Sequence, residues 1–431
     1  MSDELFDEMN RRPAPATPAG QPRYETANRT QVELTPTDLE GLLPPGHAAR
    51  LVWRFVEGLD LAAFYAAIKA REGGVGRTPI DPKILVALWL YATIDGVGSA
   101  REVDRLCYAH DAYRWLRGGV SVNYHTLSDF RVAHQAALED LLTQSIATLR
   151  HRGVITLARV AQDGTRVRAS AGVGSFRREG TLQARLKEAR HLVARTARQQ
   201  DGGTARTTAA QARAAAEGLA RVEEALAQLP AVAEAKRRNG TTSAPRTSTT
   251  DPDARIMKMS DGGFRPAYNV QFATDVDSHA IVGVAVTNVG SDQQQLIPML
   301  DQVDARVGRP TMWLADGGYV AATAIDDAAR RDVHLLMPVP RQRGTDIPVP
   351  GQPTDSPAVA AWRTRMQTDV AKQVYRIRGA TAERVHAEGK TARTLQGLGL
   401  RGRAKVQTWA LWFALAHNLL RTMELVPHLM T

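Results

Sequence analysis

Ala158-Arg-Val-Ala-Gln-Asp-Gly-Thr-Arg-Val167 carries the pattern around which the chain is organised. A short run rich in β-branched and apolar residues reaches Asp163, and Gly164 is expected to turn the backbone there. An acid at the end of a strand is held rigidly while its carboxylate stays open to solvent or a metal. The same arrangement returns at Thr311-Met-Trp-Leu-Ala-Asp-Gly-Gly-Tyr319, where Asp316 ends an apolar run and Gly317 follows. Two strand-end aspartates 153 positions apart suggest one metal site assembled from distant segments.

With 431 residues the chain can bury a large core and hold two or three domains. Lys and Arg total 55 against 45 Asp and Glu, a formal charge of +10. That excess favours a polyanionic partner, nucleic acid before an anionic membrane surface. Cys107 is the only cysteine, which excludes intramolecular disulfides and Cys-type zinc sites. Met1 to Glu8 is acidic with no apolar core, unlike a secretory signal. The most apolar late segment, Trp409 to Leu425, contains His417, Asn418, Arg421 and Glu424, and reads as a buried or amphipathic helix rather than a membrane span. A soluble, intracellular protein is expected.

Residues 1 to about 33, rich in Pro, Ala, Thr and Arg, are expected to form a disordered arm. A helical pattern follows from Leu42, broken at Gly73-Gly-Val-Gly76. It continues in a helix opened by Pro82, another capped by Ser99, and one from Thr126 to about Arg150. Either this is a plain helical domain with an aromatic core, or it is a DNA-end-binding module of helix-turn-helix type. In the second case Arg101, Arg105, Arg114, Arg117 and Arg131 would touch phosphates. Thr181 to Leu229 reads as two helices in a hairpin, interrupted at Asp201-Gly-Gly203. It is either a solvated antiparallel coiled coil or a DNA contact, and a basic Thr/Ser/Pro-rich loop follows it. Strands are expected over Arg265–Asp275, Ala280–Thr287, Met312–Ala315 and His334–Pro338. Helices are expected over Gln293–Val307, Ala321–Arg331, Val359–Thr391 and Lys405–Met423, giving a mixed sheet with helices on its faces.

Two aspartates need a third carboxylate to hold two divalent ions, and Glu383 in Tyr375-Arg-Ile-Arg-Gly-Ala-Thr-Ala-Glu-Arg-Val-His-Ala-Glu-Gly-Lys390 is the candidate. Hard oxygen ligands suit Mg²⁺ or Mn²⁺, and a pair of ions serves phosphodiester displacement. Residues seven apart return to nearly the same helix face, so Arg376, Glu383 and Lys390 set cations beside a carboxylate. Glu388 is a competing acid on another face. Asp261, Asp275 and Asp292 are expected in turns or caps, and His386 and His417 in the core.

The order Asp163-Gly-Thr, Asp316-Gly-Gly-Tyr, then Tyr375, Glu383 and Lys390 resembles the DDE transposases of bacterial insertion sequences. So do the helical region from Pro82 to Arg131, Arg401-Gly with Lys405-Val, and the closing Ala416-His-Asn-Leu-Leu-Arg421. The resemblance implies an α/β fold: an RNase H-like mixed sheet flanked by helices, with an all-α N-terminal domain and an inserted helical hairpin. The corresponding segments are a 1–33 arm, a 34–153 DNA-binding domain, a 154–172 and 251–431 catalytic domain, and a 173–250 insertion. It further implies an enzyme that binds terminal inverted repeats, cuts DNA and joins ends to target DNA. Asp163, Asp316 and Glu383 would hold two Mg²⁺ or Mn²⁺ ions, and Tyr375, an arginine and Lys390 would position double-stranded DNA. The family's arginine position falls on Gly379, and Arg376 or Arg378 would substitute for it. A homodimer on DNA and a bacterial cytoplasmic, nucleoid-associated location would follow. Two other readings share these residues: a catalytically silent DNA-binding derivative, which would bind without metal and never cut, and a metal-dependent nuclease, which would cut without joining.

Overall fold

The protein is described by a computed structural model over residues 30, 38–70, 78–198, 205–392 and 399–426. All of the expected arm but Thr30, the Gly73–Gly76 break and the Asp201–Gly203 interruption lie outside the described residues. Helical order begins with α1 (Ala48–Glu57) and α2 (Ala62–Ala66). In α3 (Pro82–Ile94) the Asp81 carboxylate accepts the Lys83 amide and Pro82 fills the first turn, the start expected from sequence. Ile84 through Ala92 are all buried, so α3 is the centre of the helical region and not one of its amphipathic walls. Ser99 caps α4 (Ala100–Ala109) by accepting the Glu102 amide, and Glu102 pairs with Arg105 as its spacing predicts.

After α5 (Asp111–Arg117), the single helix expected from Thr126 onward is two helices, α6 (Tyr124–Ala133) and α7 (Gln135–His151). Asn123 is the cap, its side chain accepting the Thr126 amide, and the backbone leaves helical geometry at His134. Threonine at position 126 is therefore a capped residue and not the cap.

β1 (Arg159–Arg168) opens the sheet. A short strand β2 (Phe176–Arg177) leads into α8 (Glu179–Arg198) and α9 (Ala205–Arg238), and β3 (Thr247–Ser248) pairs antiparallel with β2 at the base of this hairpin. Leu182, Ala225 and Leu229 form an apolar cluster of their own, so the two helices pack on each other as an antiparallel pair.

β4 (Arg255–Lys258), β5 (Phe264–Asp275) and β6 (Ile281–Thr287) follow, then α10 (Leu296–Val307), β7 (Met312–Leu314), α11 (Ala322–Arg330) and β8 (His334–Leu336). β1 and β5 are antiparallel, β6 and β4 share the far edge of β5, and β7 and β8 continue parallel on the other side of β1. This mixed, helix-flanked sheet is an RNase H-like α/β fold. The last expected helices are α12 (Pro357–Gln367), α13 (Asp369–Ala387) and α14 (Arg403–Leu425). The continuous helix expected from Val359 breaks at Thr368, whose extended backbone and hydroxyl cap α13. α14 packs against β6 on one side and α3, α6 and α7 on the other, so one apolar core joins the helical region to the sheet. No described helix is long and apolar enough to cross a membrane.

Asp163 does not end its strand. β1 keeps pairing with β5 as far as Arg168 opposite Ala267, because Thr165-Arg-Val-Arg168 continues a strand-like alternation past the glycine. Gly164 is a paired strand residue opposite Gln271, and its lack of a side chain has another cause. A Cβ there would stand 2.2 Å from Gln271 Nε2, 2.7 Å from Asp292 Oδ1 and 2.8 Å from Asn269 Oδ1. Gly164→Ala is thus expected to destabilise the fold by about 1–3 kcal/mol through overpacking. A denaturation midpoint equal to wild type would contradict this account.

Candidate active site

Successive side chains of a strand point to opposite faces. On one face of β1 stands Asp163, opposite Phe272; on the other stand Gln162, Gly164 and Arg166. The parallel register with β7 ends at Ala161 opposite Leu314. Two residues further along both chains come Asp163 and Asp316, so continuation of the register brings the two carboxylates level on neighbouring tracks. Asp316 also caps a single 3-10 turn, Gly317–Tyr319, by accepting the Gly318 amide. Asp163 Oδ1 accepts the Gly164 amide at 2.9 Å.

α13 lies across this pair. Arg378 Nη2 stands 3.3 Å from Asp163 Oδ1 and 3.6 Å from Asp316 Oδ2, bridging both acids. His386 Nδ1 is 3.7 Å from Asp163 Oδ2, and its ring sits against Phe272. Burial raises the pKa of both aspartates; Arg378 opposes the shift in each, and the nearby carboxylates reinforce it. Burial, helped by the charges of Lys390 and Arg378, lowers His386 to about 4, so this imidazole is neutral at physiological pH. His386 is consequently no bland core residue, as was expected of it. Tyr375 is half-buried and its hydroxyl pKa is raised, first by burial and then by the two aspartates against the pull of Arg378.

The structure thus gathers Asp163, Asp316, Tyr375, Arg378, His386 and Lys390. Of Arg376 and Arg378, it is Arg378 that meets the aspartates, while Arg376 is exposed. Glu383 is also exposed, on the flank of the helix. At 100° per residue it lies about 60° around the axis from His386. Among the described residues no group of three or more His, Cys, Asp or Glu is arranged to hold a metal ion. The two carboxylates nevertheless suit a hard cation: their oxygens are crowded and partly desolvated, and a guanidinium already occupies the space between them. Glu388 is committed elsewhere, to buried His417, whose other nitrogen meets the His279 carbonyl.

Behind the sheet lies a polar ladder that sequence reasoning missed. Asp292, 9% exposed, accepts from Asn269 at 2.6 Å, Gln271 at 2.7 Å and Arg166 at 3.0 Å. Gln271 accepts from Gln162 and from the Tyr319 hydroxyl, and Gln162 accepts from Trp313. Asp292 was expected to cap a helix, but α10 begins later, at Leu296, with Gln295 as its flanking residue. The signal available in the sequence was the alternation Asn269, Gln271 on β5 and Gln162, Arg166 on β1, polar residues recurring on one face of two central strands. Asp275 and Asp261 do serve turns, accepting the Ser278 and Gly263 amides.

In the helical region Arg105 is engaged by Glu102, Arg114 by Asp111, and Arg117 by the Val120 carbonyl and the Tyr108 ring. Arg101 is exposed, 5.0 Å over the Tyr124 ring, and Arg131 is buried beneath it in the same cleft.

The family model described as Transposase DDE domain matches residues 241–419, and the one described as Transposase domain (DUF772) matches residues 37–133. Asp316 and Glu383 fall within the first match; Asp163 precedes it, separated by the helical hairpin. No curated protein and no solved structure matches the chain.

Proposed function

Because the chain belongs to the DDE transposases of insertion sequences, we propose that it binds the terminal inverted repeats of its own element, cleaves DNA there and joins the freed ends to target DNA. The observation that carries this reading is the pair of desolvated carboxylates, Asp163 and Asp316, drawn together beneath one guanidinium. Glu383, exposed on α13, would be the third member of the acidic set and would have to swing toward the pair to complete it. Two Mg²⁺ or Mn²⁺ ions held by these acids would supply activation of the attacking oxygen and stabilisation of the leaving one. The other residues act on the DNA. Arg378, freed from the aspartates, pairs with a phosphate near the cut, with Lys390 and Tyr375 along the same strand. Neutral His386 stands 3.7 Å from Asp163 without adding a charge that would repel a cation. Hydrolysis exposes a 3′-hydroxyl, which attacks target DNA by the same in-line displacement. Joining two ends calls for two protomers on the DNA.

The test is incubation of the full chain with linear DNA carrying the gene and its native flanks, in Mg²⁺ or Mn²⁺ and in chelator. Metal-dependent cuts at both flanks, followed by joined products, are expected. Tight flank binding with no cutting would identify a silent derivative, and cutting without joining a nuclease.

Arg378→Ala is expected to slow cleavage roughly a hundredfold, the scale for loss of one donor aimed at developing charge. Arg376→Ala, exposed and remote from the aspartates, should stay within a few-fold. Equal losses in single-turnover assays of the two variants would remove Arg378 from its special role.

A further inference from the structure

A cleft of about 680 Å³ opens between the helical region and α14, lined by Ser99, Arg101, Tyr124, Asp129, Arg131 and Trp409 among others. Arg131 is only 9% exposed. One guanidinium nitrogen donates to the Gly98 carbonyl and the group lies 4.8 Å over the Trp89 ring. Its Nε has no hydrogen-bond partner, and among the described residues no carboxylate pairs with it. Burial alone lowers its pKa, to about 10, with no acid opposing that shift. A cation in this position is incomplete without an anion.

Two further features point the same way. The first residues of α4 and α6, each ten residues long, line the cleft. Ser99 accepts the Glu102 amide, which leaves the earlier first-turn amides of α4 outside the helix's own ladder. Arg101 adds a second guanidinium over Tyr124, against one exposed acid, Asp129.

We propose that this cleft seats a backbone phosphate of the DNA end, held by Arg101, Arg131 and the first turn of α4. The proposal rests on the transposase reading and deepens it by assigning the place where the helical region grips the strand. Tyr124 and Trp409 supply aromatic walls beside the cations, the combination that suits a nucleic-acid strand better than a free inorganic anion. Trp409 stacks on Phe413, and Phe413 touches Phe272, the residue paired with Asp163. A strand seated here therefore rests on the same packed column that backs the first aspartate.

The experiment is fluorescence anisotropy of the full chain with a labelled duplex carrying the native flank of the gene, across a salt series. Arg101→Ala should weaken binding roughly tenfold and reduce the slope of log K against log salt by about one. Ser128→Asp, which puts a negative charge on the cleft wall, should weaken it at least as much. Arg330→Ala, on α11 outside the cleft lining and engaged by Asp327, should follow wild type. If wild type binds the duplex while Arg101→Ala and Ser128→Asp bind equally well, the cleft is not the phosphate site and the transposase reading stands. Equal losses in all three variants would also overturn the cleft, as a general charge effect. A wild-type chain that binds no flank duplex would overturn both.

Discussion

Asp163→Asn and Asp316→Asn are each expected to lower DNA cleavage by on the order of a thousandfold or more while leaving the fold intact. Replacing a carboxylate by its amide keeps the shape and removes the charge on which cation binding depends. A bound cation supplies several kcal/mol of transition-state stabilisation, and each 1.4 kcal/mol is about tenfold in rate. Stability should move little, or upward, for a reason visible in the site itself. Burial raises both aspartate pKa values above the ordinary 3.8, with Arg378 only partly opposing it. A carboxyl that holds its proton more tightly folded than unfolded makes the fold lose stability as pH rises through the raised value. The amide variants lack that loss, so at neutral pH they should denature no earlier than wild type in chelator. Single-turnover cleavage of the flank duplex and a thermal midpoint measure the two halves separately. A variant that cuts within roughly tenfold of wild type would end the assignment of that aspartate.

The second large effect concerns stability. Asp292→Ala is expected to cost about 3–5 kcal/mol, the range for removing one partner of a buried charged pair. The substitution removes the acceptor shared by Arg166, Asn269 and Gln271 and the only acid paired with Arg166 among the described residues. Asp292→Asn should recover part of the loss, since its carbonyl can still accept from Asn269 and Gln271, while Arg166 loses its ion pair and keeps the Gly290 carbonyl. Chemical denaturation of the three proteins is the check. An unchanged midpoint in Asp292→Ala would mean that the ladder does not brace the sheet. Because Gly164 backs onto this ladder and Asp163 precedes it on the same strand, the variant should also impair cleavage.

Much of this was legible from residues alone. The apolar runs before Asp163 and Asp316, the polar-apolar alternation of β5, and the capping signals at Pro82 and Ser99 are local facts, and local structure follows them. The two aspartates met because each ends or continues a run whose strand character is written in its own sequence. His386, Arg378 and Asp292 were harder. Histidine on an apolar helix looks the same whether its neighbour is another core residue or a carboxylate from a strand more than two hundred positions earlier. Asp292 beside Ser291 looked like a cap because capping is the commonest local role for aspartate before a helix. Its actual partners come from two strands and cannot be read from its neighbours.

By itself the sequence determined the kind of protein: a basic chain with a helical N-terminal region, a mixed sheet, two aspartates that each follow an apolar run and a late cationic helix. Those features depend on hydrophobic period, capping chemistry and charge, all of which act over a few residues. Only the tertiary structure decided that Gly164 is a clearance for a buried ladder and not a turn. It also decided that Arg378 rather than Arg376 meets the aspartates, and that Arg131 lies beneath a cleft with no acid paired to it among the described residues. Each of these depends on which side chains from distant segments are pressed into the same few ångströms, and that is set by strand register and helix rotation.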